Sequence, residues 1–246
     1  MKREKELRIK TLINLYFDYI IQKSTLIVLI LSFALMTGIF LLISKNLNVS
    51  SYIEQYNEIH ILYIRQALLI IQIFNSVIIT TFVIQLGIHS ESFDVLFVSY
   101  ISRKKICITK IIVLLIISFF IALFEMLIIN IVGNISFNMY IISYKEILSS
   151  LYIFISIIFE GLIGIVICSI ASNMFIPMSI LFIFVIIKIL CNNSIKFYNL
   201  ISSIFPILGY NRANTGIESS PIYIGVIWII LLGVLYNSIY SLKNLK

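Results

Sequence analysis

The charged residues of this chain are spaced so that long stretches between them carry no charge at all, and that spacing restricts what the chain can fold into. Residues 24–44, between Lys23 and Lys45, are 21 uncharged positions; residues 66–90, between Arg65 and Glu91, are 25; residues 219–242, between Glu218 and Lys243, are 24. A helix crosses a hydrocarbon core of ~30 Å with about 20 apolar residues, so each gap accommodates one span. Between Lys110 and Lys145 the only charge is Glu125, and between Glu146 and Lys188 it is Glu160. Only 12% of the 246 residues are charged, 61% are apolar and the mean hydropathy is +1.09. Soluble domains carry roughly 25% charge, so a water-soluble surface cannot be assembled from this composition.

The reading is an all-α integral membrane protein, residues 1–246 forming a single transmembrane domain. Six transmembrane helices are expected at 24–44, 66–90, 111–133, 149–172, 174–191 and 222–242. Asn173 is the expected break between the fourth and fifth, because proline is tolerated in the first helical turn and Pro177 then falls there. Short cytoplasmic segments carry the excess of Lys and Arg. One set of segments holds 12 (Lys2, Arg3, Lys5, Arg8, Lys10, Lys23, Arg103, Lys104, Lys105, Lys110, Lys243, Lys246) and the other holds six, which puts both termini in the cytoplasm of a multi-pass cell-membrane protein. The formal charge of +7 comes from residues flanking spans, where topology and anionic lipid account for it, and no nucleic-acid partner is expected. Cys107, Cys168 and Cys191 lack metal-ligand spacing.

Residues 1–23 read as an amphipathic elbow helix on the membrane interface. Ile9, Leu12, Ile13, Tyr16, Phe17 and Ile20 recur at helical spacing, opposite Glu6, Lys10, Asn14 and Asp18. The apolar run after Lys23 is too long for a signal-peptide core and shows no small-residue cleavage site, so it is read as an uncleaved anchor.

Within the spans, Gln72, Asn75, Ser76 and Thr80 form one polar stripe, the candidate lining of a translocation path or, more simply, a helix-packing face. Ser156, Glu160, Gly164, Cys168 and Ser172 repeat every four residues and point to close packing. Glu125, Glu160 and Lys188 fall at one depth, each roughly 20–22 Å from the nearer cytoplasmic helix end at ~1.5 Å per residue. Two arrangements fit: a buried cluster in which Lys188 neutralises one carboxylate and the other is protonated, or Lys188 snorkelling outward with both acids neutral. The second is favoured for Lys188, while Glu160 is expected to point into the bundle. The apolar stretch ISSIFP before the last span reads as short helices dipping back into the membrane.

No HExxH, GxSxG or phosphate-cradling GxxxxGK[ST] pattern occurs, and His60 and His89 fall on opposite sides. The chain is not expected to be an enzyme. Residues 91–105, ESFDVLFVSYISRKK, alternate bulky apolar with charged residues: Phe93, Leu96, Phe97 and Tyr100 stand between Glu91 and Asp94 on one side and Arg103 to Lys105 on the other. Such anchors suit the groove of a partner.

This loop resembles that of the type-2 ABC transporter permease family, in which a leucine-rich coupling helix is followed by Pro-x-Ser-Arg and a lysine seven residues on. Ser102, Arg103 and Lys110 match that spacing, Asp94 stands where glutamate is common, Leu96 and Phe97 where two leucines are usual, and Tyr100 replaces the proline. The resemblance implies a permease subunit pairing with a second permease, identical or not, and with two cytoplasmic ATPase subunits that bind ATP and Mg. The export it implies runs by alternating access, with Glu91, Phe93, Asp94, Leu96, Phe97 and Arg103 as the ATPase-coupling contacts. Amphipathic or hydrophobic peptides of the bacteriocin kind are the expected cargo. The alternative is an ATP-independent channel or ion-coupled carrier working through Glu125 and Glu160.

Overall fold

A computed structural model describes residues 2–50, 56–89, 94, 102–137, 144–171, 173, 175–193, 195–206, 208–211, 216–219 and 222–242. The described chain is helical apart from one short hairpin. In order it forms α1 (Lys2–Ile20), α2 (Lys23–Ser50), α3 (Tyr56–Ile84) running into a π-helical turn (Gln85–His89), α4 (Arg103–Phe137), α5 (Tyr144–Ile170), α6 (Phe175–Asn193), α7 (Ile195–Ser202), strands β1 (Leu208–Asn211) and β2 (Gly216–Ser219), and α8 (Ile222–Leu242). The strands pair antiparallel, with Leu208 opposite Ser219 and Asn211 opposite Gly216.

Five described helices are long and apolar enough to cross a membrane: Ser24–Leu47, Gln66–Ile88, Arg103–Phe137, Leu151–Ile170 and Ile222–Leu242. By length and composition the chain is a multi-pass membrane protein. The apolar stretch Phe175–Cys191 of α6 is shorter. At 35 residues, α4 is about 52 Å long and starts at Arg103, so residues 103–105, expected to close the coupling segment, are the first turn of this helix instead. The reason lies in its sequence: from Arg103 to Lys110 the β-branched and basic residues continue the helical pattern of buried Ile106, Cys107 and Lys110 without a breaker.

The α1–α2 break is local. Ile21 and Gln22 leave the helical path, and the single Thr25 hydroxyl proton is shared between the carbonyls of Ile20 and Gln22, the latter at 2.8 Å, giving a partner to the Ile20 acceptor that the C-terminus of α1 leaves open. Leu12, Tyr16 and Ile20, four residues apart, are fully buried, with α1 packed against α4 and the π-helical turn. The apolar stripe of α1 therefore faces protein; Ile13 and Phe17 sit at its edge, half-buried. Between α5 and α6, Asn173 Oδ1 accepts from Phe175 N at 3.0 Å, an N-cap, and Pro177 occupies the first turn where no donor is missed.

α5 is the hub: it packs on α3, α4, α6 and α8 and is the most buried of the long helices, whereas α2 and α8 are the least. Lipid-sized side chains such as Ile30, Leu35, Ile230 and Val234 cover their outer faces. Glycine permits the hub. A Cβ on Gly161 would stand 2.7 Å from Leu114 Cδ1 of α4, and one on Gly164 2.6 Å from Val83 Cγ1 of α3. Small residues are the usual means of bringing membrane helices close, since lipid offers no hydrophobic drive for their association.

Beyond α6 the chain folds back. The Phe205 ring stacks on Trp228 of α8 (centroids 5.7 Å) and meets Phe159 of α5 (5.8 Å) and Phe184 of α6 (6.3 Å), while Trp228 Nε1 donates to the Ile204 carbonyl at 2.6 Å. Phe184 lies nine residues before the end of α6, so the returning segment reaches about 13 Å back along that helix.

Gly164→Val should therefore force α3 and α5 apart and cost about 1–3 kcal/mol, the usual range for overpacking. Gly233→Ala, with nothing within 4 Å of its added Cβ, should leave thermal unfolding in detergent unchanged or slightly raised. Equal behaviour of the two variants would rule out close packing at α5.

Candidate functional site

Among the described residues, two buried polar centres occupy the bundle. The inner one is built on α3, whose Gln72, Asn75 and Ser76 lie on one face and are buried. From α6, Lys188 reaches them because Leu181, Phe184, Lys188 and Cys191 share the inward face of that helix. Its ammonium pairs with the Glu160 carboxylate of α5 and donates to Ser76 Oγ and to the Gln72 carbonyl, each at 2.9 Å. These three acceptors match the three donors of an ammonium. Ser76 Oγ donates to Glu160 Oε2 at 2.6 Å and Ser156 Oγ to Oε1 at 3.1 Å. Beside Ser76 on α3, Asn75 Nδ2 donates to Glu125 Oε2 of α4 at 3.2 Å.

The structure thus brings Glu160 and Lys188 into direct contact, with Glu125 joined to them through the neighbouring positions 75 and 76. Lys188 does not snorkel. It is 1% exposed, and its stem leaves α6 on the face turned away from lipid, so the expectation that it reaches outward is corrected. Of the polar stripe, Gln72, Asn75 and Ser76 are engaged with the neighbouring helices, and the Thr80 hydroxyl bonds back to the Ser76 carbonyl at 2.5 Å. In this conformation the stripe is a helix-packing face.

The second centre lies at the α1 end of the bundle. Asp94, fully buried, accepts from Tyr16 of α1, from Lys110 Nζ of α4 at 2.5 Å and from Tyr240 of α8 at 2.6 Å. The ammonium stands 5.7 Å from the Tyr16 ring centroid and 5.3 Å from that of Tyr240, within cation–π range. Burial, reinforced by the Asp94 charge, raises the Tyr16 phenol well above its ordinary value, which keeps it a hydrogen-bond donor. Four parts of the chain, one of them the segment after α3, meet on this carboxylate. Arg103, half-exposed, donates from Nη1 to the Ser241 carbonyl at 3.2 Å, a favourable place for a cation at the end of α8.

Of the six expected coupling residues, Asp94 is turned inward and Arg103 spans the ends of α4 and α8; Glu91, Phe93, Leu96 and Phe97 lie outside the described residues. Tyr16 and Tyr240 were missed in the sequence. Tyr16 reads there as one apolar member of the α1 stripe, and Tyr240 carried only one signal, its spacing of four from the buried Tyr236. No protein-family model and no curated protein matches the chain.

Removing one partner from a buried ion pair is far more costly than removing both. Glu160→Gln should cost about 3–5 kcal/mol, and Lys188→Met added to it should restore much of the loss. Asp94→Asn and Lys110→Met should behave the same way at the other centre. Thermal unfolding of the four single and two double variants in one detergent would show this; additive losses in both pairs would mean that neither ion pair holds the bundle.

Proposed function

We propose that this chain is the membrane subunit of an ATP-driven exporter of the type-2 ABC permease kind, with six spans and both termini cytoplasmic. The observation that carries this reading is the Asp94 centre. It lies in the segment that matches the family's coupling loop, and Lys110, the residue matching the loop's lysine, is its ion-pair partner. A push on that loop would be delivered at once to α1, α4 and α8 through three bonds to one carboxylate. Rigid buried contacts of this kind suit the transfer of work from a nucleotide-driven partner into helix movement.

Energy has to come from elsewhere on this reading, since the sequence offers no phosphate-cradling loop, and two cytoplasmic ATPase chains with bound ATP and Mg would supply it. A second permease subunit completes the pathway. With Gln72, Asn75 and Ser76 engaged inside one subunit and lipid-sized side chains over the outer faces of α2, α6 and α8, the pathway surface is apolar, which favours hydrophobic or amphipathic peptides as cargo. The ion-coupled alternative rests on Glu125 and Glu160, and the internal pairing of Glu160 with Lys188 weighs against it.

Purification from native membranes should recover an ATPase subunit with this chain. Leu96→Asp with Phe97→Asp should abolish that recovery while leaving membrane yield unchanged. Arg103→Glu should retain the ATPase but lower export per ATP hydrolysed. Transport by the purified chain alone in liposomes without ATP would decide for the ion-coupled reading.

A further inference from the structure

We propose that Asn75 and Glu125 form a proton-binding site, with Glu125 held as a neutral carboxylic acid whose proton lies between its Oε1 and the Asn75 amide oxygen, while Glu160 stays ionised against Lys188. This goes beyond the transport proposal and does not rest on it.

The hydrogen-bond inventory is the first argument. Glu125 and Asn75 are 0% and 3% exposed, and their one mutual bond uses Asn75 Nδ2 and Glu125 Oε2. Among the described residues, neither Glu125 Oε1 nor Asn75 Oδ1 has a hydrogen-bond partner. An unsatisfied buried acceptor carries the full cost of its desolvation, and here two stand on one side-chain pair. A proton on Oε1 turns one of them into a donor and leaves the other as its acceptor. Turning the amide over sets Oδ1 against Oε2 and calls for the proton there instead, so both orientations of Asn75 favour the acid.

The charge count is the second. Around this part of α4, Asn75 of α3 bonds Glu125, and its neighbour Ser76 bonds Glu160 of α5 and Lys188 of α6, with the Tyr63 hydroxyl of α3 donating to the Ile129 carbonyl at 3.2 Å, one turn further on. From α2 come the Phe33 ring and, near the helix end, Ser44, which bonds Ser136 at 2.8 Å. α1 and α8 bring Tyr16 and Tyr240 to the Lys110 end of α4, where they bond Asp94. The one cation among these at the depth of Glu125 is Lys188, and its three donors go to Glu160, Ser76 and Gln72. A second carboxylate there would leave one negative charge in excess among apolar helices, where charge is costly. A hard metal ion takes about six oxygen ligands, whereas this pair has two uncommitted ones. A proton answers both the charge and the missing bond.

The site also has a link to its neighbours. Ser76, next to Asn75, holds Glu160 and Lys188 together, so loss of the Glu125 proton would set two carboxylates against one ammonium across adjacent positions of α3.

Infrared spectroscopy of the full chain in nanodiscs, with isotope-labelled glutamate, tests the assignment. The wild type should show a glutamic-acid carbonyl band that moves in deuterium oxide, disappears in Glu125→Gln, and shifts to higher frequency in Asn75→Leu as its hydrogen bond is lost. Glu125→Gln, which reproduces the neutral acid's bonds, should unfold within a few degrees of the wild type. Absence of the band in the wild type, which needs no variant to fold, would overturn the proposal. So would its survival in Glu125→Gln, an unshifted band in Asn75→Leu, or a destabilisation by Glu125→Gln as large as that by Glu160→Gln.

Discussion

An ammonium removed from water must find a carboxylate, or it costs several kcal/mol, and the two lysines buried here organise the bundle through that requirement. Lys188 draws Glu160, Ser76 and Gln72 around itself and so fastens α6 to α5 and α3. Lys110 draws Asp94, with Tyr16 and Tyr240 filling the remaining acceptor positions, and so fastens α4 to α1, to the segment after α3 and to α8. Hydrophobic drive is absent between helices in lipid; directional bonds to a charge specify which helices meet and at what height.

Close packing lets those bonds form. Glu160 reaches Ser76 and Lys188 because α5 lies tight against its neighbours on either side: Gly161 faces Leu114 of α4, and Gly164 faces Val83 of α3. Further along, Gly87 of the π-helical turn sits against Cys168, where an added Cβ would lie 2.4 Å from that of the cysteine. The face that carries the carboxylate is thus the face that carries the small residues, and the two features act together.

The ends of the bundle differ in kind. At the α1 end a single carboxylate ties four chain segments together, and Arg103 ties the start of α4 to the end of α8. Toward the other end, Phe159, Phe184, Phe205 and Trp228 form an aromatic cluster that holds the returning segment after α7 against α5, α6 and α8. Charge-assisted bonds at one end are short and directional; ring packing at the other tolerates sliding.

Hydrophobicity and charge spacing are properties of the chain itself, and they were enough to mark five apolar helices of membrane-crossing length, the break at Asn173 and the amphipathic face of α1; the stretch expected as a fifth span is shorter, and α4 begins at Arg103, eight residues before the expected start. Counting along the helices also put Glu125, Glu160 and Lys188 at one depth. What the sequence could not decide was direction around each helix axis. Lys188 sits in an otherwise greasy helix, and only the packing of α6 on α3 turns it inward, away from the lipid a snorkelling lysine needs. Asp94 and Arg103 look like exposed contacts beside a basic run, yet tertiary packing buries the first under two tyrosines, one from near the start of the chain and one from near its end. Helix formation depends on neighbours a few residues away and is legible locally; the partner of a buried charge is set by residues 16 to 146 positions distant, and only the assembled bundle selects it.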